Sequence, residues 1–141
     1  CEQNQHRDLK NAKCKMHNAK RGVTMDNIIE TKSFTLAVPI VHLYKMLTND
    51  RKEYVLSKQL LRSGTSIGAN VSEAERGQTK PDFYAKMCIA LKEANETHYW
   101  LRLLYETEYL TKKEFDSMEN DIKELISILI SICKTQEKNK K

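Results

Sequence analysis

Eight basic side chains are the residues of this sequence that suggest the clearest chemistry. Clustered lysines and arginines attract phosphate groups whatever the nucleotide sequence, so they predict nucleic-acid binding. They surround the ends and the exposed side of one predicted helix, and the last pair begins a later helix. The predicted nucleic-acid-binding residues are Arg51, Lys52, Lys58, Arg62, Arg76, Lys80, Lys112 and Lys113. Acidic neighbours such as Glu53, Glu73 and Glu75 oppose this field, so a merely solvated helix face is the alternative.

The sequence lacks the spacings that enzyme sites in helical proteins use. Di-metal carboxylate sites in bundles need Glu-x-x-His pairs, in which both side chains share a face. Here Glu96 precedes His98 by two residues, and no acidic residue stands three positions before His42. A Gly-rich phosphate loop and the local signature of an activated Ser or Cys are also missing. The sequence therefore predicts a protein without catalytic activity, cofactor or metal, and a bundle metal enzyme is the least favoured alternative.

The four cysteines do not have the spacing of a zinc or redox site. Cys1, Cys14, Cys88 and Cys133 form no CxxC pair. Cys88 and Cys133 lie within helical patterns, where cysteine usually serves as a small buried apolar residue. We expect thiols at all four positions.

Charge divides the chain near residue 24. The first 24 residues hold six Lys/Arg and two acidic residues, a net charge of +4, with few large apolar residues. Residues 25–141 hold 18 basic and 17 acidic side chains, a net charge of +1. Residues 1–24 are predicted to be a basic N-terminal extension. Two interpretations stay open: a segment upstream of an ordinary start at Met25, or an arm that binds nucleic acid.

The segment from Ser57 to Arg76 is predicted to be the central packing helix. Gly64, Gly68 and Ser72 recur every four residues, which forms a line without bulky side chains along one side. An apolar stripe runs beside that line, comprising Leu60, Ile67, Val71 and Ala74. Gly and Ser weaken a helix in isolation, so close packing by a neighbouring backbone must compensate.

The helix before it has an unusually wide apolar surface. One face of residues 33–48 carries Phe34, Val38, Val41 and Tyr44, and the adjoining face carries Leu36, Ile40, Leu43 and Leu47. This width predicts burial on two sides. Pro39 lacks a backbone N–H, so we expect it to kink the helix or to delay its start.

Capping signals mark the remaining helices. Gly77 stands where a left-handed C-cap is expected. Thr79 with Asp82, and Thr111 with Glu114, have the spacing of N-terminal caps. The apolar stripes that follow comprise Phe83, Met87, Ala90, Ala94, Leu101 and Leu104 in the third helix, and Phe115, Met118, Ile122, Leu125, Leu129 and Ile132 in the fourth.

These patterns predict an all-α protein, an antiparallel up-down-up-down four-helix bundle without a sheet. The helices are expected near 33–48, 54–76, 80–109 and 112–135. The bundle spans residues 25–135, and residues 136–141 are expected to be a frayed basic tail. The longest apolar run, from Leu125 to Cys133, is too short to cross a bilayer, and no signal segment opens the printed chain. We therefore expect a cytoplasmic protein that does not contact a membrane.

The third helix carries more aromatic residues than one core can absorb. Tyr84, Tyr99, Trp100 and Tyr105 lie on more than one face, and surplus aromatic residues commonly mark interfaces. We predict that some of them contact another subunit. Glu73 and Glu96 are added to this interface, with Arg62, Arg76 or Arg102 as their partners, because an unpaired buried charge is costly. Exposed carboxylates are the alternative.

A resemblance to a known family lies in SKQLLRSGTSIGANVSEAERGQTKPDFYAKMCIALKEANETHYWLRLL, and it is most specific between Ser57 and Leu101. This stretch resembles the bacterial family of four-helix-bundle proteins encoded in intervening sequences of large-subunit ribosomal RNA genes. The resemblance rests on the Asn70–Glu73 step, Phe83, the Ile89–Leu91 step and Glu96. Leu61 and His98 depart from the family pattern, which commonly has an arginine and a second glutamate there.

The resemblance implies a small cytoplasmic protein without known catalytic activity. The family is similar to the accessory variability protein of diversity-generating retroelements, a homopentameric bundle that binds reverse transcriptase and nucleic acid. It therefore implies a homo-oligomer, a pentamer by preference and otherwise a dimer. Its expected partners are RNA or DNA, and a reverse transcriptase or another nucleic-acid enzyme. A protein–protein scaffold without nucleic-acid binding is the competing function.

Overall fold

The computed structural model describes the backbone of residues 25–139 and the side chains of residues 27–135. Four helices make up this part of the chain: α1 (Met25–Asn49), α2 (Leu56–Glu75), α3 (Lys80–Glu106) and α4 (Lys112–Asn139). No strand occurs among residues 25–139. The predicted all-α bundle is confirmed. The predicted extension, residues 1–24, lies outside the described residues.

Neighbouring helices run antiparallel around the bundle. In each packed pair, contacts move up one helix as they move down the other. These contacts are Ser33–Gly68 and Ile40–Gly64 between α1 and α2, Ser63–Thr97 and Glu73–Lys86 between α2 and α3, His98–Glu119 and Cys88–Cys133 between α3 and α4, and Lys32–Glu124 and Arg51–Glu114 between α1 and α4. Within the described chain α1 does not pack on α3, nor α2 on α4, so these pairs are diagonal.

The small residues of α2 let both of its neighbours approach closely. A Cβ placed on Gly64 would lie 2.8 Å from Ile40 Cγ2, so the side chain of Ile40 occupies the space that a larger residue would need. On the α3 side, Thr97 Oγ1 donates a hydrogen bond to Ser63 Oγ at 3.0 Å, and both residues are fully buried. The predicted role of α2 as the packing helix is confirmed.

The core consists of one stripe from each helix. The predicted stripes of α2 and α4 are fully buried, and that of α3 is buried except for the half-buried Phe83. In α1 only one of the two predicted faces is buried, namely Leu36, Ile40, Leu43 and Leu47. The stripes therefore meet as their periodicity predicted, but α1 turns a single face to the core.

The predicted start of α1 at residue 33 is wrong. The helix begins at Met25 and continues through Pro39. Its first turns are held by tertiary contact, since Ile29 and Ser33 are buried and Ser33 lies against Gly68 of α2. Packing of this kind supplies most helix stability in proteins, which offsets the hydrogen bond lost at Pro39. At the other end of the chain, α4 continues through residues 136–139, which the sequence assigned to a tail; residues 140–141 lie outside the described range.

Both predicted N-terminal caps are present. Thr79 Oγ1 accepts a hydrogen bond from the Asp82 N–H at 3.2 Å. At the start of α4, Glu114 Oε1 accepts from the Thr111 N–H at 2.8 Å, and Thr111 Oγ1 accepts from the Glu114 N–H at 3.2 Å. This reciprocal pair is a complete capping box.

The predicted left-handed cap at Gly77 is wrong. No described glycine has positive φ, and the Gly77 N–H bonds to the Ala74 carbonyl at 3.0 Å. The left-handed positions are instead Lys52 (φ 57°) and Glu108 (φ 68°), which reverse the chain after α1 and α3. The α2–α3 link, residues 76–79, turns without a left-handed residue.

Two alanine substitutions in α2 test the close approach of α1. Gly-to-Ala in a helix gains up to about 1 kcal/mol from helix propensity. At Gly68 the added methyl meets the Ser33 carbonyl at an ordinary 3.5 Å, so Gly68→Ala should leave stability unchanged or raise it. At Gly64 the methyl collides with Ile40, and overpacking costs about 1–3 kcal/mol. Urea unfolding should therefore find Gly64→Ala the less stable variant; equal stabilities would contradict this packing.

Candidate nucleic-acid and subunit interfaces

The eight predicted basic residues do not form one surface. Antiparallel packing brings the end of α1, the start of α2, the end of α3 and the start of α4 together, and we call this the lysine end. Arg51, Lys52, Lys58, Lys112 and Lys113 lie there. Arg76 and Lys80 lie around the α2–α3 link at the opposite end, about 27 Å away along α2. Arg62 lies between, on the side of α2 that faces α3.

Arg51 is engaged inside the chain. Its guanidinium donates to both carboxylate oxygens of Glu114, at 3.0 and 3.1 Å, and to the backbone carbonyl of Tyr109. Burial alone would raise the pKa of Glu114, but the bonds from Arg51 and Thr111 outweigh it, and the pKa lies below its ordinary value. Arg51 therefore joins the end of α1 to the start of α4, and its charge is balanced there.

Glu53 caps α2 from within the preceding link. Its carboxylate accepts from the N–H groups of Val55, Leu56 and Ser57, at 3.1, 2.9 and 2.6 Å. The side chain is only 7% exposed. Burial raises the pKa of Glu53. The three backbone donors and the Ser57 hydroxyl lower it by more than burial raises it, so the pKa lies below its ordinary value. Glu53 thus satisfies the first amides of α2, and its charge is directed inward at the positive end of that helix.

With those two carboxylates engaged, four lysines remain exposed at the lysine end. They are Lys52, Lys58, Lys112 and Lys113, and only Lys112 has an ion pair among the described residues, with Asp116 at 3.4 Å. Exposed acidic residues share this end, namely Asp50, Glu106, Glu108 and Asp116. Tyr54 and Val55 also lie beside the lysines, where they are 53% and 71% exposed. The sequence did not predict them as surface residues of this end, because the predicted helix began at residue 54 and included both.

Arg62, Glu96 and Trp100 meet across the α2–α3 interface of a single chain. Arg62 donates to Glu96 and, at 3.3 Å, to Glu93. The indole N–H of Trp100 donates to Glu96 at 3.2 Å. The bond from Arg62 is the main reason that the pKa of Glu96 is lowered, and Glu96 in turn raises the pKa of Arg62. Arg62 was predicted as a partner of Glu96, and it fills that role within the chain.

Glu73 pairs differently from the sequence prediction. Its carboxylate lies 2.7 Å from Lys86 Nζ, and its side chain is largely exposed. Lys86 comes from the first turns of α3, opposite the last turns of α2. The pair joins these two helices near the end that carries Arg76, and it uses none of the three arginines that the sequence proposed.

The bundle itself absorbs three of the four predicted interface aromatics. Tyr84, Trp100 and Tyr105 are half-buried against the core. The Tyr105 ring stacks on Phe115, with centroids 4.5 Å apart and planes 8° from parallel. Tyr99 differs, because it is 55% exposed and contacts Trp100 only edge-to-face, at 5.0 Å between centroids. Among the predicted aromatics, Tyr99 is thus the one available to another subunit.

Besides Tyr99 on α3, exposed apolar side chains also form a surface on α1. Phe34 is 71% exposed and Val38, one turn later, is 45% exposed. The sequence predicted burial for this face, which is wrong within a single chain because α1 packs only on α2 and α4. Since α1 and α3 are diagonal, the surface at Phe34 and the surface at Tyr99 lie on opposite sides of the bundle.

His98 and Cys88 also have environments that the sequence did not predict. His98 Nε2 lies 2.9 Å from Glu119 Oε2, and this contact is the main reason that the pKa of Glu119 is lowered. The residue that departs from the family pattern thus joins α3 to α4. Cys88 was expected to be buried but is exposed, and Cys133 is half-buried.

Two features are absent from the described residues. No group of three or more His, Cys, Asp or Glu within residues 27–135 is arranged to hold a metal ion. None of the four described helices combines the length and apolar character that spanning a bilayer requires.

The fold and most of the sequence match a known protein family. The model of the 23S rRNA-intervening sequence protein family matches residues 25–131, which include α1, α2, α3 and most of α4. The chain belongs to this family. A crystal structure of a protein with unknown function, from the S23 ribosomal protein family of Bacteroides thetaiotaomicron VPI-5482, is 57% identical. The similarity covers 79% of this chain and 99% of that one, with a TM-score of 0.77. A comparison with curated proteins finds no match.

The family match covers the helical part of the chain and leaves out the basic residues before it. The matched region of this 23S rRNA-intervening sequence family member starts at Met25, where α1 begins. The basic residues 1–24 lie outside the match. The lysine end and the surfaces at Phe34 and Tyr99 lie within it.

Replacing Glu53 tests the cap of α2. Because the folded-state pKa is lowered, the stability that the carboxylate supplies is present above its unfolded pKa and is lost as the pH falls through the folded pKa. Glu53→Gln should cost about 1–2 kcal/mol near pH 7, since N-cap losses have this size, and much less near about pH 3. Glu106→Gln, at an exposed site of the same end, should change stability by less than about 0.5 kcal/mol. Urea unfolding at both pH values measures this; a Glu53→Gln cost that is independent of pH would contradict it.

Proposed function

We propose that this 23S rRNA-intervening sequence family member is a non-catalytic, self-assembling helical bundle of the cytoplasm that binds nucleic acid through its lysine end. The observation that carries the proposal is the set of four exposed lysines around one end of the bundle. Two come from the start of α2 and its preceding link, and two from the first turn of α4. Their side chains are long enough to reach phosphates along a common backbone.

Internal pairing reduces the negative charge that this end exposes beside its four lysines. Two of its carboxylates are directed inward, Glu53 to backbone amides and Glu114 to Arg51. Of the four exposed acidic residues, Asp50 lies just after α1 and Asp116 pairs with Lys112 of α4, while Glu106 and Glu108 lie at the end of α3, on the diagonal from α1. The lysines of α2 and α4 flank them on both sides. A phosphate backbone that spans from Lys58 to Lys113 would gain attraction at each side.

The exposed Tyr54 gives this end a stacking surface. It lies between the left-handed turn at Lys52 and the start of α2, and it is 53% exposed. Aromatic side chains beside basic ones bind unpaired bases without sequence preference. This combination favours RNA loops or single strands over a plain duplex.

A protein partner is the second candidate for the same end, because Val55 is 71% exposed and acidic residues are nearby. An apolar residue with a mixed-charge rim suits a protein surface better than a phosphate backbone. The partner class would be an enzyme that acts on nucleic acid, such as a reverse transcriptase. Weak salt dependence of binding would favour this candidate.

Self-assembly is supported by the two apolar surfaces on opposite sides of the bundle. A contact between the α1 surface of one copy, at Phe34 and Val38, and the α3 surface of the next, at Tyr99, joins two different patches. Such head-to-tail contacts close into rings when the rotation between copies permits. A pentameric ring is our first choice. The smaller alternative is a dimer, which would instead join the same surface of both copies about a twofold axis. A ring would also bring several lysine ends onto one side.

Substituting Phe34 tests the assembly. Phe34→Glu places a charge in the proposed contact, so the particle mass in light scattering should fall to that of one chain at micromolar concentration. Val55→Glu is the matched control, since Val55 is equally exposed at 71% but lies at the lysine end, and it should leave the mass unchanged. Circular dichroism should show unchanged helicity in both. A monomeric unmodified protein, or equal loss of assembly in both variants, would contradict the head-to-tail contact.

Salt dependence tests nucleic-acid binding. Each lost phosphate contact lowers the slope of log affinity against log salt by about one. The double variant Lys58→Gln with Lys113→Gln should therefore lower the slope on a structured RNA by about two. The matched double variant, Arg76→Gln with Lys80→Gln, removes the same charge at the opposite end and should leave the slope unchanged.

Both variants are measured in the full chain and in a chain starting at Met25, because residues 1–24 carry a net +4. If only the full chain binds, the basic extension explains the affinity and the lysine end does not. Equal loss in the two double variants would show a diffuse charge effect rather than a site. Either outcome would overturn the proposal.

A further inference from the structure

A pair of cysteines lies where α3 and α4 meet, near the end that carries Arg76. Cys88 Sγ and Cys133 Sγ are 3.0 Å apart, although the residues are 45 positions apart in the chain. Cys88 is exposed and Cys133 is half-buried, so the pair lies at the surface of the bundle and not in its core. Neither the proposed function nor the family match assigns a role to this pair.

We propose that Cys88 and Cys133 are a reversible oxidation site, at which a small disulfide of the glutathione class converts the two thiols into an intrachain disulfide. A disulfide bond is about 2.05 Å long, so the sulfurs need to approach by about 1 Å. The helices are already held at this level by core residues, since Met87 next to Cys88 is fully buried and Ile132 next to Cys133 is 5% exposed. Side-chain rotation can supply the remaining approach.

The reaction is a two-step exchange in which electrons and atoms balance. The Cys88 thiol loses its proton to water, and the thiolate attacks one sulfur of glutathione disulfide, releasing one glutathione thiolate. Cys133 then loses its proton to water, and its thiolate attacks the Cys88 sulfur of the mixed disulfide and releases the second glutathione thiolate. Each released thiolate takes up a proton from water. The protein pair loses two electrons, and glutathione disulfide is reduced to two thiols. Cys88 is the first nucleophile because it is the more exposed.

The new bond would lock the last turns of α4 to α3. It closes a loop that contains most of α3, the α3–α4 link and α4, which removes freedom from the unfolded chain. A loop of this length should raise the unfolding temperature by about 10 °C. Cys88 and Tyr99 are eleven residues apart on α3, about 16 Å along the helix, so this site is separate from the proposed subunit contact.

The test uses the full chain with Cys1→Ser and Cys14→Ser, which leaves Cys88 and Cys133 as its cysteines. The protein is equilibrated in glutathione buffers of increasing oxidised fraction, quenched with an alkylating reagent and analysed by mass spectrometry. We expect a species that has lost two hydrogens and takes up no reagent, and a proteolytic fragment that joins Cys88 to Cys133. The unfolding temperature should rise by about 10 °C and return on adding dithiothreitol.

Cys88→Ser and Cys133→Ser in this background serve as controls and should show no rise. Alkylation of both thiols at every buffer ratio would overturn the proposal, as would stable single glutathionylation or a disulfide between two chains. Each of these outcomes is read from the mass alone, so the result does not depend on the stability of either control variant.

Discussion

The contact between Gly64 of α2 and Ile40 of α1 is the constraint on which the rest of the bundle depends. It removes the space that a side chain would occupy, so α1 lies directly on the α2 backbone. The buried Ser63–Thr97 bond performs the matching role toward α3. With α2 held between two neighbours, α4 fills the remaining corner against α3 and α1. The faces of α1 and α3 that point away from the core are then left on opposite sides.

The same packing determines which charged side chains pair between helices and which stay in solvent. Arginines and glutamates that are distant in sequence meet between helices, as Arg51 meets Glu114 and Arg62 meets Glu96. The Glu53 carboxylate caps the helix that follows it. At the lysine end four lysines and four acidic residues are left in solvent, and the long lysine side chains suit a flexible phosphate backbone. Surface ion pairs contribute little to stability individually, so their main effect here is on where charge is exposed.

The sequence predicted the features that depend on periodicity and local chemistry. The stripes of α2 and α4 and the two threonine caps are where their spacing placed them. The sequence did not predict the features that depend on contacts between residues distant in the chain. Residues 25–32 are helical because α1 packs on the small face of α2, and Arg51 is engaged because α4 begins beside the end of α1. The Glu53 cap was missed because the predicted helix began at residue 54, whereas α2 begins at Leu56 and its first amides bond to Glu53.

The claim that the lysine end is the nucleic-acid surface is tested most directly by lysine footprinting. The full chain is acylated briefly with and without a structured RNA, and modification at each lysine is quantified by mass spectrometry. We expect that bound RNA protects Lys58 and Lys113 from acylation. Lys80 at the other end and Lys123 on the outer side of α4 should react equally with and without RNA. Protection of Lys80 with none at Lys58 and Lys113, or uniform reactivity under saturating RNA, would contradict it.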